Sequence, residues 1–414
     1  MSPTRSLLSL LLIAVSLGSS VTASPTPRDS KATLAFARSF NLSGTGFQNI
    51  ADADRARAQA LISSARVKGG QNKRAVSSIL VTNTAVTYTA NVGVGTPPTE
   101  YTLLIDTGSS NTWVGSRKSY VKTSSSTDTG QAISVSYGSG NFSGEEFTDT
   151  VTLSPSLVIK KQSIGVASTS EGFTTVDGII GVGPTDLTLN TLTSDPNQEI
   201  PTVTDNLFAQ GKIPAAVLGI SYAPIIIANV TNGELTFGGT DPFRHVGEIT
   251  YVPITSTSPA SRFWGVDLAI SYGSTTILSS TAGIVDTGTT LVLIASDAFS
   301  KYQAATGGVL DSATGLLKVT SAQYHALKPV NFQIGSNTYT LTPNAQIWPR
   351  MLNSVIGGTT DGIYLIIGNL GTPSGQGLDF INGYTFLERF YSVFDTTHKR
   401  VGLACTLETD IITN

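Results

Sequence analysis

The stretch Leu104-Ile105-Asp106-Thr107-Gly108-Ser109 returns 180 residues later as Ile284-Val285-Asp286-Thr287-Gly288-Thr289. Each copy is an apolar strand that runs into an aspartate and then a tight Thr-Gly turn. A carboxylate presented at a strand end, once in each half of a chain, is a means of setting two aspartates face to face. Two carboxylates at close range cannot both ionise easily, so they share a proton and offer an acid and a base at one place. One such Asp alone reads as a turn cap. Two in matched frames read as a catalytic pair.

The rest of the chain supports a duplication. Val176-Asp177-Gly178-Ile179-Ile180-Gly181-Val182-Gly183 follows the first aspartate, and Leu378-Asp379-Phe380-Ile381-Asn382-Gly383 follows the second. Each half thus carries an Asp-Thr-Gly turn and, later, an apolar strand ending in glycine. A length of 414 residues suits two lobes around a shared core. The chain is 40% hydrophobic but only 13% charged, about half the usual charged share. Glycine, serine and threonine fill the difference, which favours strands and turns and predicts an all-β fold with a few short helices. Strands are predicted over Val86–Val94, Tyr101–Ile105, Ile133–Tyr137 and Phe147–Leu153. The last two form a hairpin around Gly138-Ser139-Gly140-Asn141. Helices are predicted over Asp52–Arg66, Ile200–Gly211 and Ser296–Thr306.

The N-terminal region reads differently. Arg5, the apolar run Leu7–Leu17 and the small residues Val21-Thr22-Ala23 predict an export leader over 1–23. Residues 1–74 hold 10 Lys/Arg against 3 Asp/Glu, whereas residues 75–414 hold 15 against 25. A basic segment on an acidic body, ending at Lys73-Arg74, predicts an activation propeptide over 24–74 and a processed chain from Ala75. The expected lobes are 75–255 and 256–414. No second apolar run and no lipid-anchor tail is seen, so the expectation is a secreted, extracellular protein off the membrane. Cys405, the single cysteine, makes no internal disulfide and reads as an inert side chain. Asn141-Phe142-Ser143 and Asn229-Val230-Thr231 are glycosylation sequons, with Asn229 the better acceptor because Asn141 sits near the hairpin tip.

Other chemistries find little support. The three histidines form no zinc-binding His-Glu-x-x-His pattern, and no Gly-x-Ser-x-Gly elbow occurs. No metal or cofactor is expected. The acidic body and the lack of a basic stripe argue against nucleic acid. A two-carboxylate glycosidase leaves the shared Thr-Gly frame unexplained. A binding protein that has lost catalysis is countered by the retention of both aspartates, both turn glycines and Tyr137.

The motifs Asp106-Thr107-Gly108-Ser109-Ser110-Asn111-Thr112-Trp113-Val114, Ser136-Tyr137-Gly138-Ser139-Gly140, Asp177-Gly178-Ile179-Ile180-Gly181, Asp286-Thr287-Gly288-Thr289 and Phe390-Tyr391-Ser392-Val393-Phe394-Asp395 occur in order. In these, over nearly its whole length, the chain resembles the pepsin-like aspartic endopeptidases. Pro201–Phe208 and Phe380–Phe390 resemble more closely the secreted enzymes of wood-decay basidiomycetes. The resemblance implies a bilobal double β-barrel with pseudo-twofold symmetry and a cleft between the lobes. It makes Asp106 and Asp286 the dyad that adds water to a peptide bond. Ser109 and Thr289 would bond the outer carboxylate oxygens, and Thr107 and Thr287 would tie the two loops together. Gly108 and Gly288 would admit the substrate backbone. Tyr137 would be the flap tyrosine, bonded to Trp113, with Gly138 and Ser139 at the flap tip. Leu104, Ile164, Val176 and Ile179 would line the main apolar pocket. Ser139, where some relatives carry an Asp that accepts lysine, points to large apolar or aromatic side chains. The implied partners are an extended polypeptide substrate, pepstatin as inhibitor, and the chain's own propeptide, with Lys31 or Arg38 reaching the dyad. A monomer is expected. The chain departs from the family at Ile381-Asn382-Gly383-Tyr384, where most relatives read Ile-Leu-Gly-Asp, and it lacks their cysteine pairs.

Overall fold

In Thr99–Asp106, alternation sends Tyr101, Leu103 and Ile105 into the core, and everything from Leu103 onward is buried. Burial on both faces is what a strand needs if it is to hold a side chain rigidly at its end. The structure, a computed structural model, describes residues 32–39, 49–67, 87–137, 140–224 and 231–414. The predicted leader, Lys31, Lys73-Arg74, Gly138, Ser139 and Asn229 lie outside the described residues.

The strands are, in order, β1 (Ala32–Ser39), β2 (Thr87–Val94), β3 (Thr99–Asp106), β4 (Trp113–Val114), β5 (Thr127–Tyr137), β6 (Gly140–Ser154), β7 (Leu157–Glu171), β8 (Gly178–Gly181), β9 (Val217–Ser221), β10 (Thr231–Phe237) and β11 (Val246–Pro253). There follow β12 (Gly265–Tyr272), β13 (Thr275–Val285), β14 (Val292–Ile294), β15 (Val309–Leu310), β16 (Leu317–Val319), β17 (Val330–Ile334), β18 (Asn337–Leu341), β19 (Ile363–Leu365), β20 (Ile367–Asn369), β21 (Phe380–Asn382), β22 (Phe390–Asp395) and β23 (Arg400–Cys405). A 13-stranded sheet runs β11-β23-β22-β9-β10-β1-β2-β3-β8-β4-β7-β6-β5, a 7-stranded sheet runs β18-β17-β12-β13-β21-β14-β20, and a 3-stranded sheet runs β15-β16-β19. The fold is mostly β and bilobal, with one closed six-stranded barrel and a half-barrel. The larger sheet draws strands from both sides of residue 255, since β22 and β23 pair beside β9 and β11.

The internal echo in the sequence is an echo in topology. β3 runs parallel to β8, β8 antiparallel to β4, and β4 parallel to β7. β13 runs parallel to β21, β21 antiparallel to β14, and β14 parallel to β20. Asp106 closes β3 and Asp286 directly follows β13, so the repeated unit delivers both to equivalent places. The strands behind them must end in glycine. A Cβ at Gly181 would lie 2.7 Å from the Asn111 carbonyl oxygen, and one at Gly383 would lie 2.5 Å from that of Thr289.

The predicted helix at 52–66 is α1, Ile50–Val67, opened by the Asn49 side chain, which accepts the Asp52 N–H at 2.9 Å. It buries Ile50, Ala51, Ala58, Leu61, Ile62 and Ala65 against the body. The helix expected over Ile200–Gly211 is shorter, Val203–Ala209. Pro201 disfavours helical backbone at Ile200, and Thr202 and Asp205 form a capping box that fixes the start. Ser296–Thr306 is helical as expected and ends at Gly307, φ 68°.

Candidate active site

Each aspartate is held by its own turn. Asp106 Oδ1 accepts the Gly108 N–H at 2.9 Å and Oδ2 accepts the Ser109 hydroxyl at 2.6 Å. Asp286 repeats this with Gly288 at 3.0 Å and Thr289 at 2.6 Å. Both carboxylates are fully buried. The two turns are locked to each other by reciprocal bonds. Thr107 N–H donates to the Thr287 hydroxyl oxygen at 3.0 Å, and Thr287 N–H donates to that of Thr107 at 2.9 Å. Each hydroxyl then donates across to the opposite strand, Thr107 to the Val285 carbonyl at 3.4 Å and Thr287 to the Ile105 carbonyl at 3.1 Å. These four bonds span the two halves of the chain and leave neither aspartate free to drift. They are the reason threonine occupies both positions. Serine could form the bonds but lacks the χ1 stiffness of a β-branched side chain.

The turns also need glycine. A Cβ on Gly108 would come within 2.7 Å of Asp286 Oδ1, and one on Gly288 within 2.6 Å of Asp106 Oδ1.

A guanidinium occupies the space between the aspartates. Arg57 of α1 donates from Nη2 to Asp106 Oδ1 at 2.6 Å, from Nε to Asp286 Oδ2 at 2.8 Å, and from Nη2 to Asp286 Oδ1 at 3.0 Å. Among the described residues, the side chain that reaches both aspartates is Arg57, whereas Lys31 and the side chain of Arg38 lie outside what is described. The backbone of Arg38 lies in β1 opposite Tyr88. Burial opposes the charge of Arg57, but both aspartates raise its pKa further. Burial and the Asp286 charge hold Asp106 above the ordinary carboxylate range even with Arg57 opposing them. Burial also pulls Asp286 upward, but the charge and hydrogen bonds of Arg57, with Thr289 and Gly288, outweigh it and hold Asp286 low. The pair is thus split into one carboxyl that favours its proton and one that favours its charge.

Asp54, on the same face of α1, provides a second anchor. Its buried carboxylate accepts the N–H groups of Leu291 at 2.7 Å and Thr290 at 3.2 Å, directly after the second Asp-Thr-Gly turn. Burial pushes its pKa up to about 7 despite those bonds. Besides these and its apolar packing, α1 bonds the body through Arg55 Nε to the Asn369 carbonyl at 3.3 Å, Gln59 Nε2 to the Leu370 carbonyl at 3.5 Å, and the Ala65 carbonyl, which accepts from Arg262 Nη1 at 3.5 Å.

An apolar cluster closes one side of the site. Leu104, Val176 and Ile179 meet there with Tyr137, Trp113, Phe142 and Phe173. Ile164 is not among them. It is buried in the main core, paired in register with Phe147 on the far side of the hairpin. Tyr137 ends β5 at the hairpin tip and lies inward over the cluster, its ring 6.4 Å from that of Trp113 and edge-on to Phe173 at 5.4 Å. Burial and the nearby Asp106 charge push its phenol well above its usual pKa. Phe173 escaped the sequence reading because it sits in a loop without period or motif. Arg57 escaped because the helix pattern shows which face is apolar but not which polar residue on that face meets a carboxylate. Asn141 is the second residue of β6, with its side-chain amide donating to Glu171 at 3.2 Å.

Comparison with known proteins agrees with this geometry. Residues 87–406 match the family model of the eukaryotic aspartyl proteases. The chain is 62% identical to polyporopepsin of Irpex lacteus over 341 residues, 82% of this chain and 100% of that protein. It is 33% identical to rhizopuspepsin-1 of Rhizopus niveus, covering 77% and 79% of the two chains. The crystal structure of an aspartic proteinase from Irpex lacteus superposes with a TM-score of 0.78 at 63% identity, over 79% of this chain and 96% of that one. Two buried aspartates in a twice-repeated Asp-Thr-Gly frame, on a bilobal β fold with these relatives, establish that the chain belongs to the pepsin-like family of eukaryotic aspartyl proteases.

Proposed function

We propose that this aspartic endopeptidase is made as a secreted zymogen, and that once processed it cleaves polypeptides at large apolar or aromatic residues by dyad-activated water. The observation that carries the reading is Arg57, which bonds both aspartates from a helix that precedes the family-matched region. A guanidinium in that place excludes the reacting water and the scissile bond, so the chain with α1 in place is latent.

With α1 gone, the dyad shares one proton. The ionised member takes a proton from a water lying between the two carboxyls as that water attacks the peptide carbonyl carbon. The protonated member gives its proton to the carbonyl oxygen. The tetrahedral diol then collapses, with proton transfer to the leaving nitrogen. Ser109 and Thr289 hold the outer oxygens so that the inner ones face the water. Gly108 N–H and Gly288 N–H bond the inner oxygens and steady the charge. Tyr137 closes over the bound chain and keeps bulk water away. Pepstatin is expected to bind the same groups. Processing at Lys73-Arg74, release of 24–74, lobes at 75–255 and 256–414 joined through the larger sheet, a glycan at Asn229 and a monomeric state belong to the same reading. The match to polyporopepsin takes in all of that protein and 82% of this chain, which supports a removable segment in this one.

Specificity follows from the apolar cluster under Tyr137. Cleavage sites in denatured casein, mapped by mass spectrometry, are expected to follow or precede Leu, Phe, Tyr and Met. Cuts that cluster at Lys or Arg would contradict this. Phe173→Ala is expected to lower kcat/KM for a peptide with Phe at the scissile bond by about 10- to 100-fold while leaving an Ala-containing peptide nearly unchanged. Equal losses on both peptides would assign Phe173 to folding instead.

The zymogen reading also assigns a task to Asp54. Asp54→Ala leaves two buried N–H groups without this acceptor and is expected to weaken closure of α1 by about 1–3 kcal/mol. Amide exchange over 50–67 in the full chain is expected to speed accordingly, and unchanged exchange would count against that role.

A further inference from the structure

We infer that the free edge of β15 is a remote docking strand for the polypeptide substrate, outside the cleft and continuous with it; this rests on the endopeptidase reading. Among the described residues, β15 pairs with β16 on one side only and lies at the edge of its 3-stranded sheet. An edge strand presents unpaired N–H and C=O groups that an extended chain is shaped to meet. Its two side chains are both apolar and both outward, Val309 at 70% and Leu310 at 57% exposure. They form the wall of a groove of about 580 Å³ whose floor includes the buried Val319 and Ile363. Of the three charged residues that line the groove, the exposed Asp361 sits at its rim and the other two are engaged elsewhere. Asp311 accepts from Thr314 N–H at 2.9 Å and holds the hairpin turn, and Lys318 Nζ donates to the Thr359 hydroxyl at 3.2 Å. At the β15 edge itself the open surface is apolar and lies beside open backbone, with Asp361 and polar residues farther along the groove.

Continuity with the cleft fixes the occupant. The turn joining β15 to β16 touches the segment that fills the cleft. A Cβ on Gly315 would meet the Asn49 side chain and lie 2.9 Å from the Ala51 Cβ. From Asn49 to Arg57 the helix rises about 12 Å, a distance an extended substrate covers in about four residues. A polypeptide that follows the line of α1 away from the dyad reaches this hairpin after about four residues. Its next residues meet the edge of β15. A chain with apolar residues at alternating positions would add as a strand and place one set on Val309, Leu310 and the groove.

The test uses the processed enzyme and two peptides with the same scissile core. One has about seven residues and fills only the cleft. The other carries about five more residues at each end, alternating apolar and polar. The long peptide is expected to show a kcat/KM about tenfold higher, mainly through KM. The double variant Val309→Lys, Leu310→Lys, which changes only exposed side chains and charges the edge, is expected to abolish the advantage while cleaving the short peptide at the wild-type rate. Equal kcat/KM for the two peptides on the wild-type enzyme, or an advantage that survives in the double variant, would overturn the inference. Failure of the wild-type enzyme to cleave the short peptide would instead overturn the endopeptidase reading.

Discussion

Arg57→Ala is expected to open the full-length chain, destabilising its closed form by about 3–5 kcal/mol. Among the described residues, the ion pairs to Asp106 and to Asp286 both come from Arg57. Its removal leaves two carboxylates, each fully buried, facing one another with no cation between them. They respond by taking up a proton or by admitting water, and both responses drive α1 out of the cleft. The full-length variant should therefore hydrolyse a peptide substrate without prior processing, whereas the wild-type chain stays latent. Arg57→Lys supplies the control. It keeps the charge but cannot bond both aspartates through a planar fork, so it should lie between the two. A latent Arg57→Ala chain would contradict the role given to this residue.

The acid behaviour of the closed form follows from the same contacts. Asp286 is held below its ordinary value of 3.8, chiefly by Arg57 working against burial. Its contribution to closure is therefore complete above that value and is lost as pH falls through the depressed one. Asp54 is shifted the other way, to about 7 by burial, so its contribution grows as pH falls through that value and does not open the helix on the way down. Mild acid is expected to leave the full-length chain closed, with opening only below about pH 3.8, where Asp286 begins to take up its proton.

The second large effect concerns the dyad. Asp106→Asn or Asp286→Asn in the processed enzyme is expected to lower kcat by about 10³-fold or more, with KM little changed. The amide is nearly isosteric, so the turn bonds from Gly108 and Gly288 and the Thr107–Thr287 cross-links survive. What is lost is the shared proton. One member alone cannot both take a proton from water and return one to the carbonyl oxygen. Neither variant should rescue the other in a mixture, since both groups act within one molecule. Activity within tenfold of wild type in either variant would show that the acid and base lie elsewhere.

How much of this was legible in the sequence depended on whether a residue's role is local. The dyad was legible because its frame repeats, and the repeat turned out to be a repeat of strand pairing, β3-β8-β4-β7 and β13-β21-β14-β20. The cross-link of Thr107 with Thr287 was suggested only by family likeness, since nothing in either loop alone shows that the two meet. The helix at α1 was visible from its alanines and its spacing, but its partner residue was not. Arg57 and Arg55 are equally polar, and only the docking angle of the helix decides that the first enters the cleft and the second bonds Asn369. Arg57 was not among the basic residues expected at the dyad, Lys31 or Arg38; of those two, only the backbone of Arg38 is described, paired with Tyr88 from β1. Ile164, expected in the main apolar pocket, packs in the main core with Leu157 and Ile159 of the same strand, while Ala167 of that strand packs against the cluster under Tyr137. Asn382, which replaces the leucine most relatives carry, is buried behind Asp286, and its backbone carbonyl accepts the Asp286 N–H at 3.1 Å. We have no physical account of why an amide side chain stands there.

We propose that Asp106 and Asp286 together activate water for peptide hydrolysis once residues 24–74 are removed. The most direct measurement is hydrolysis of denatured haemoglobin by the processed chain from about pH 2 to about pH 7, titrated with pepstatin. The account predicts cleavage confined to the acid range and extinguished when one pepstatin is bound per enzyme molecule. Cleavage that persists at saturating pepstatin, or that is strongest near neutrality, would contradict it.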